Sequence, residues 1–424
     1  MRVGELVGLI GAYERDNFGD LLFLERTLKY LGSRPSIATA PYSHDIGSPG
    51  PHYTERYVDA LSSESLTSVL VVGGEVGGTS ASSAYRMSST PNLYSKWIDS
   101  SLGTKRRILR QSLGLSEMSS PYIPRMSATS MSLQLPSAIN SAGVSGLDRL
   151  VGRRGAEAWA AVREAGFVSV RDKASSEVLS RRNVEHRVAP DLVHTLRLDE
   201  SFAPLMRPNV ALIQVKAAVL TAMGTRAFAE VLAASKALAS FDLELFSAGS
   251  ATGHDSLELY REVAEHFRVI SSSRVLSMPQ TGSELEKASI IAGCGIWVGT
   301  SLHGWIISSS FNRPRVALEL DKIVRYAESW SDPMPVGVSL SELDSAVRRA
   351  ISTGNQDQSS EIERIQTMCL LAQDSIVDAL GSLNHDPSSD EIQARLDTTS
   401  ALAEAESTLK GRIVDLLVCL RDFR

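Results

Sequence analysis

The chain has 424 residues, more than one hydrophobic core usually organises, so two domains and an appendage are expected. Hydrophobic residues make up 43% and charged residues 22%, which excludes a mainly disordered chain, a collagen and a small disulfide-stapled scaffold. Acidic residues outnumber basic ones by 49 to 43, a net charge of −6, so there is no overall basic surface for gripping nucleic acid.

In chain order, strand-like and helix-like patterns alternate. Leu6–Ala12 is an apolar run ending in the polar loop Tyr13–Gly19. A helix follows with Leu21, Leu24, Leu28 and Leu31 on one face and Asp20 at the expected N-cap. Val69–Val72 reads as a buried strand entering Gly73-Gly74, and Arg107–Leu113 as a further strand. Thr79–Thr90 and Ser116–Ser145, rich in serine, read as long mobile loops. Ala156–Ala165 is helical, Phe167–Val170 a strand and Lys173–Arg181 helical again.

Pro190–Pro208, with three prolines, marks a hinge. Beyond it the alternation restarts, with strands at Val210–Val215, Leu243–Phe246, Ile296–Val298 and Arg315–Leu318. The intervening helices fall at Arg226–Ala239, Leu257–Phe267, Glu284–Ala288, Leu302–Ser310 and Lys322–Ser329. Two such series predict two doubly wound, Rossmann-like α/β domains, residues 1–200 and 201–354, with the ligand site in the cleft between them. Residues 355–424 change to two helical patterns, Ser359–Leu383 and Ser389–Leu420, a C-terminal helical extension. Leu402, Leu409 and Leu416 recur every seven residues, which suits packing back across the domains or a homo-oligomer contact.

Cys294, Cys369 and Cys419 lie far apart without CxxC spacing, so neither a disulfide framework nor a thiolate metal site is expected. Glu5 interrupts what a secretory signal would need as an apolar core. The longest apolar run, Ala288–Gly299, is too short to span roughly 30 Å of hydrocarbon. A soluble, cytoplasmic protein with no transmembrane segment is the expectation.

Five segments carry chemistry. Asn17-Phe18-Gly19-Asp20 opens a helix, where backbone N–H groups face a ligand and Asn17 and Asp20 can bond hydroxyls; alone, plain turn chemistry explains it as well or better. Gly73 and Gly74 either admit a ligand close to the backbone or root a flexible loop, and they form neither a Walker loop nor a GxGxxG fingerprint. Gln111-Ser112-Leu113-Gly114 is a weaker signal. In Val170-Arg171-Asp172, Arg171 is an anion anchor or the partner of a salt bridge, with Asp191 as one candidate. Gly299-Thr300-Ser301-Leu302-His303-Gly304 sets an imidazole in the first turn of a helix, where it serves as an acid or a phosphate ligand, or simply caps the turn. A helix N-terminus disfavours imidazolium, so the acid role calls for a nearby anion. No HExxH or paired metal spacing appears.

Taken in order, these segments resemble the polysaccharide pyruvyl transferase family over roughly residues 1–330. The likeness rests on Asn17–Asp20, Gly73-Gly74, Gln111–Gly114, Val170–Ser175, Pro190-Asp191, and Thr300–Gly304 with Pro314 and Lys322. Glu75 departs from the family's triple glycine and Leu115 from its proline. The resemblance implies a GT-B-like two-domain fold and transfer of a pyruvyl group from phosphoenolpyruvate to two hydroxyls of a cell-surface polysaccharide or its precursor. It assigns His303 and Arg171 as catalytic, and Arg171, Thr300, Ser301, Gly304 and Lys322 as donor-binding. Asn17, Asp20 and Gln111 become acceptor-binding, Gly73 and Gly74 loop glycines. It needs no metal or cofactor beyond the donor substrate. A sugar or lipid-linked saccharide is the implied acceptor, which would put the protein beside the membrane where polysaccharide is assembled. The alternatives are a glycosyltransferase using a nucleotide sugar and a non-catalytic binding protein derived from the family.

Overall fold

The computed structural model describes residues 6–42, 54–62, 66–126, 135–354, 356 and 358–382. It divides into two compact units. One takes the chain up to Asp16, Phe23–Ala189 and the chain from Leu371 onward; the other takes Asn17–Leu22 and Pro190–Leu370. The sequence expectation set boundaries at residues 200 and 355. Instead the second unit starts at Pro190, recruits the first turn of the first helix, and shares the helix Ser359–Ser382 with the first unit.

The first unit is built on a parallel seven-stranded sheet: β1 Val7–Ile10, β2 Ser36–Ala40, β3 Glu55–Arg56, β4 Ser68–Val72, β5 Ser137–Ala142, β6 Phe167–Val170 and β7 Arg187–Val188. Its helices are α1 Phe18–Leu31, α2 Tyr57–Ser62, α3 Ala81–Ser88, α4 Pro91–Ile98, α5 Leu102–Leu113, α6 Gly152–Glu164 and α7 Lys173–Ser180. The strand order β3-β2-β1-β4-β5-β6-β7 is the doubly wound arrangement, and its direction of winding reverses between β1 and β4. β4 is buried along its whole length, as a strand covered on both faces must be, and its register sets Val71 beside Ile10 and Ile139.

Three expectations fail here. Arg107–Leu113 is the end of α5, not a strand; Ser101 caps its N-terminus, and Gly114, at φ +77°, closes its C-terminus in the left-handed region. Thr79–Thr90 is no mobile loop, since Ser80 and Thr90 are the caps of α3 and α4. Ser116–Ser145 contains β5, a strand with a polar sequence: Asn140 exchanges side-chain hydrogen bonds with Gln373, and Ser141 N–H donates to Ser169 Oγ at 2.8 Å.

The second unit repeats the plan with a parallel five-stranded sheet: β8 Arg207–Gln214, β9 Asp242–Leu245, β10 Leu276–Ser277, β11 Cys294–Gly299 and β12 Arg315–Ala317. Its order, β10-β9-β8-β11-β12, again reverses at the middle, between β8 and β11. The helices are α8 Ala217–Met223, α9 Thr225–Ala234, α10 Leu257–Ile270, α11 Glu284–Gly293, α12 Leu302–Ser310, α13 Asp321–Ser329 and α14 Leu343–Gly354, followed by α15 Ser359–Ser382. α12 is buried nearly all round, and Trp297, Trp305, Ile306 and Ile307 are fully buried in this core. The expected helix Ser389–Leu420 and its leucine heptad lie outside the described residues. No single helix among the described residues is long and apolar enough to cross a membrane.

Candidate functional site

In the second unit the reversal between β8 and β11 gathers the strongest sequence signal. β11 ends at Gly299, and Thr300 and Ser301 turn the chain into α12. Thr300 N–H donates to Gln214 Oε1 at 3.0 Å, and Thr300 Oγ1 accepts from Lys216 N–H at 2.9 Å. Gln214 Nε2 in turn donates to Asp255 Oδ1 at 2.8 Å, so the ends of β8 and β11 are locked by buried polar groups. Ser301 is the N-cap of α12, accepting from Gly304 N–H at 3.3 Å. Both hydroxyls expected at the donor thus hold the turn that aims His303. Gly304 also has an internal reason: a Cβ there would come within 2.6 Å of the Trp297 indole.

His303 is gripped on two sides. A Cβ on Gly19 would overlap the imidazole, with Nδ1 the nearest atom, so only glycine lets the first turn of α1 lie against the ring. Phe18 meets the ring edge-on, with centroids 6.4 Å apart, and its N–H donates to Ala248 O at 2.9 Å. On the other side, His303 Nε2 stands 3.8 Å from Asp191 Oδ2. Asp191 is 0% exposed; its Oδ1 accepts from Val193 N–H at 3.0 Å, and its own N–H donates to Tyr326 Oη at 3.0 Å. The Asp191 carboxylate is thus an acidic neighbour of the ring nitrogen, 3.8 Å away. With these neighbours the histidine is 8% exposed, covered by the Asn17–Asp20 turn.

Asn17 and Asp20, expected as acceptor ligands on the first domain, belong to this unit. Asn17 Nδ2 donates to Asp20 Oδ2 at 2.7 Å, and Asn17 Oδ1 accepts from Gly19 N–H at 3.3 Å. Asn17, not Asp20, is therefore the residue at the start of α1, and Asp20 sits in its first turn.

Lys322 occupies the first turn of α13, one turn before Tyr326 on the same helix face. Tyr326 Oη lies 3.0 Å from His194 Nε2, and His194 Nδ1 lies 3.0 Å from Ser310 Oγ. Burial lowers the His194 pKa to about 3, helped by the Arg315 charge. A neutral ring completes one directional chain: Asp191 N–H to Tyr326 Oη, Tyr326 O–H to His194 Nε2, His194 Nδ1–H to Ser310 Oγ, and Ser310 O–H to Ile306 O. The chain ties Asp191 to both α12 and α13.

In the first unit, Arg171 directly follows β6 and is 3% exposed. Its Nη2 lies 3.1 Å from Glu75 Oε2, and its Nε lies 4.0 Å from Asp172 Oδ2. Gly73 and Gly74 take positive φ values of 58° and 78° after β4, and Gly73 packs under the Phe23 ring. Gln111 is exposed near the end of α5, where its carbonyl accepts from Arg56 Nη1 at 2.9 Å. Among the described residues no group of three metal-ligating side chains gathers.

Sequence reasoning left Asp191, Tyr326, His194, Lys216 and Glu75 out of the site. Asp191 had a signal in the Pro190-Asp191 pair, and Glu75 had one in its departure from the glycine cluster.

Residues 17–322 match the model of the family described as polysaccharide pyruvyl transferase. The chain belongs to the polysaccharide pyruvyl transferase family. As a member it is a transferase of polysaccharide pyruvylation, with a sugar as acceptor. No curated protein matches it in sequence. Among solved structures it is similar to the UDP-GlcNAc 2-epimerase of Methanocaldococcus jannaschii in complex with UDP-GlcNAc and UDP. The TM-score is 0.52 at 11% identity, over 89% of this chain and 99% of that one. The UDP-N-acetylglucosamine 2-epimerase from Rickettsia bellii gives 0.52 at 11% identity, over 90% and 97% of the two chains. The S. aureus MnaA-UDP structure gives 0.51 at 10%, over 91% and 99%. At such identities the likeness establishes the two-domain, GT-B-like α/β fold and nothing about ligands.

Proposed function

We propose that this pyruvyl transferase takes its pyruvyl group from phosphoenolpyruvate and joins it as a cyclic ketal to two hydroxyls of one sugar. The supporting observation is the clamped imidazole of His303 with the Asp191 carboxylate 3.8 Å away. In this reading His303 as imidazolium gives its proton to C3 of the donor, which makes C2 electrophilic. One sugar hydroxyl adds to C2 and the C2–O bond to phosphate breaks; the neighbouring hydroxyl then closes the ring. Of the two hydroxyl protons released, one restores the imidazolium and the other leaves on phosphate. Arg171 binds the donor's carboxylate and Lys322 its phosphate. The Asn17–Asp20 turn gives way to admit the donor, because it covers the ring.

The reading is tested by phosphate release from phosphoenolpyruvate with a panel of galactosides, glucosides and N-acetylmannosamine derivatives. Thermal shifts with phosphoenolpyruvate and with UDP and GDP sugars run beside it. Phosphate release with at least one acceptor, and stabilisation by phosphoenolpyruvate, are expected. Stabilisation by a nucleotide sugar alone would favour glycosyl transfer, and no response to either would favour a binding protein.

A further inference from the structure

The geometry points to Glu75 as an internal competitor for the donor carboxylate at Arg171, a specificity-setting residue whose role rests on the donor reading above. Arg171 is fixed: its side chain is 3% exposed at the end of β6. Glu75 is not fixed to the same degree, with its side chain 38% exposed. Its Oε2 lies 3.1 Å from Arg171 Nη2, and its Oε1 accepts from Ser145 Oγ at 3.2 Å.

The pair rests on bare backbone. A Cβ on Gly143 would overlap Glu75 Oε2 and stand 3.0 Å from Arg171 Nη2. Glu75 bridges to Gly143 beyond the ends of β4 and β5, so the ion pair sits on the carboxyl edge of the sheet, where doubly wound folds take their ligands. A donor carboxylate seated on the Arg171 fork needs the place that Glu75 Oε2 now fills. Two carboxylates cannot share it without like-charge repulsion, and Asp172, 4.0 Å from Nε, adds to that repulsion. Donor binding is therefore an exchange in which Glu75 swings to solvent as the substrate enters. The exchange weakens donor affinity without touching the chemical step.

Glu75→Gln keeps the length of the side chain and its bond to Ser145 while removing the charge. It is compared with wild type, Arg171→Ala and the double variant. Phosphoenolpyruvate is titrated by calorimetry and varied in steady-state kinetics, and melting curves establish that each variant is folded. Glu75→Gln should lower both Kd and KM for phosphoenolpyruvate about fivefold or more, the gain falling in KM and not in kcat. In the Arg171→Ala background the same change should bring no gain. Unaltered or weaker binding by Glu75→Gln, with wild type still binding the donor, overturns the exchange and leaves the donor reading standing. A gain that persists without Arg171 also overturns it, since the effect is then one of general charge. Absence of phosphoenolpyruvate binding from wild type and Glu75→Gln alike overturns both.

Discussion

Two neighbours define the surroundings of His303. Asp191 supplies negative charge at Nε2, and Gly19 supplies room for the ring. His303→Ala should lower kcat on the order of 10²–10⁴-fold while leaving the melting curve close to wild type. Asp191→Asn retains an acceptor for Val193 N–H but removes the charge. It should lower kcat at least about tenfold and move the alkaline limb of the pH–rate profile to lower pH, because the imidazolium loses its counter-ion. An unmoved limb would make Asp191 a purely structural cap. Gly19→Ala forces its methyl into the imidazole and should cost about 1–3 kcal/mol of stability together with most of the turnover, read by denaturant melts and phosphate release. The sequence made His303 visible because a strand, two hydroxyl residues and a helix start coincide there. Asp191 stayed in the background because its partner lies 112 residues away (303 − 191) and only the folded chain brings them together.

At the scale of elements, the apolar strands were legible and the polar ones were not. Phe167–Val170 and Leu302–Ser310 were read to the residue, since each carries a run of buried side chains with clear breaks. β5 escaped because Asn140 and Ser141 find buried partners in Gln373 and Ser169, a compensation invisible in a local window. α5 was mistaken for a strand although Ser101 and Gly114 bracket it as caps. The link from the Pro190-Asp191 turn to α12 and α13 depends on a neutral His194, and this gives the second unit an acid sensitivity. Its pKa is held at about 3 in the folded protein against 6.5 when free, so the unfolded chain binds the extra proton between those values. Stability is full above about pH 6.5 and falls as pH drops toward 3, by a few kcal/mol at most. His194→Gln should flatten that slope in melting curves recorded from pH 7 to 4; an identical slope would show that other groups govern it.

For the molecule as a whole, the strand order reverses twice, at β1/β4 and at β8/β11, once in each unit. Family membership and the GT-B-like fold follow from the sequence match and from fold likeness to sugar-nucleotide epimerases. The two-Rossmann architecture was readable from alternating patterns. That the first turn of α1 is counted with the second unit was not, because its reason is a tertiary contact, Gly19 against His303. The buried thiols fit an inert core: burial pushes Cys294 up to about 12 and Cys369 well above its ordinary value, so neither should react with a thiol reagent at pH 8 until the chain unfolds. The central claim is proton transfer from His303 to the donor's C3, and it is tested most directly by turning over phosphoenolpyruvate labelled with ¹³C at C2 in D₂O, with NMR of the sugar product. The account predicts a ¹³C-labelled ketal carbon whose attached methyl carries a single deuterium with wild type, and product formation at least about a hundredfold slower with His303→Ala. A ketal formed equally well by His303→Ala, or a product with no labelled ketal carbon, would contradict it.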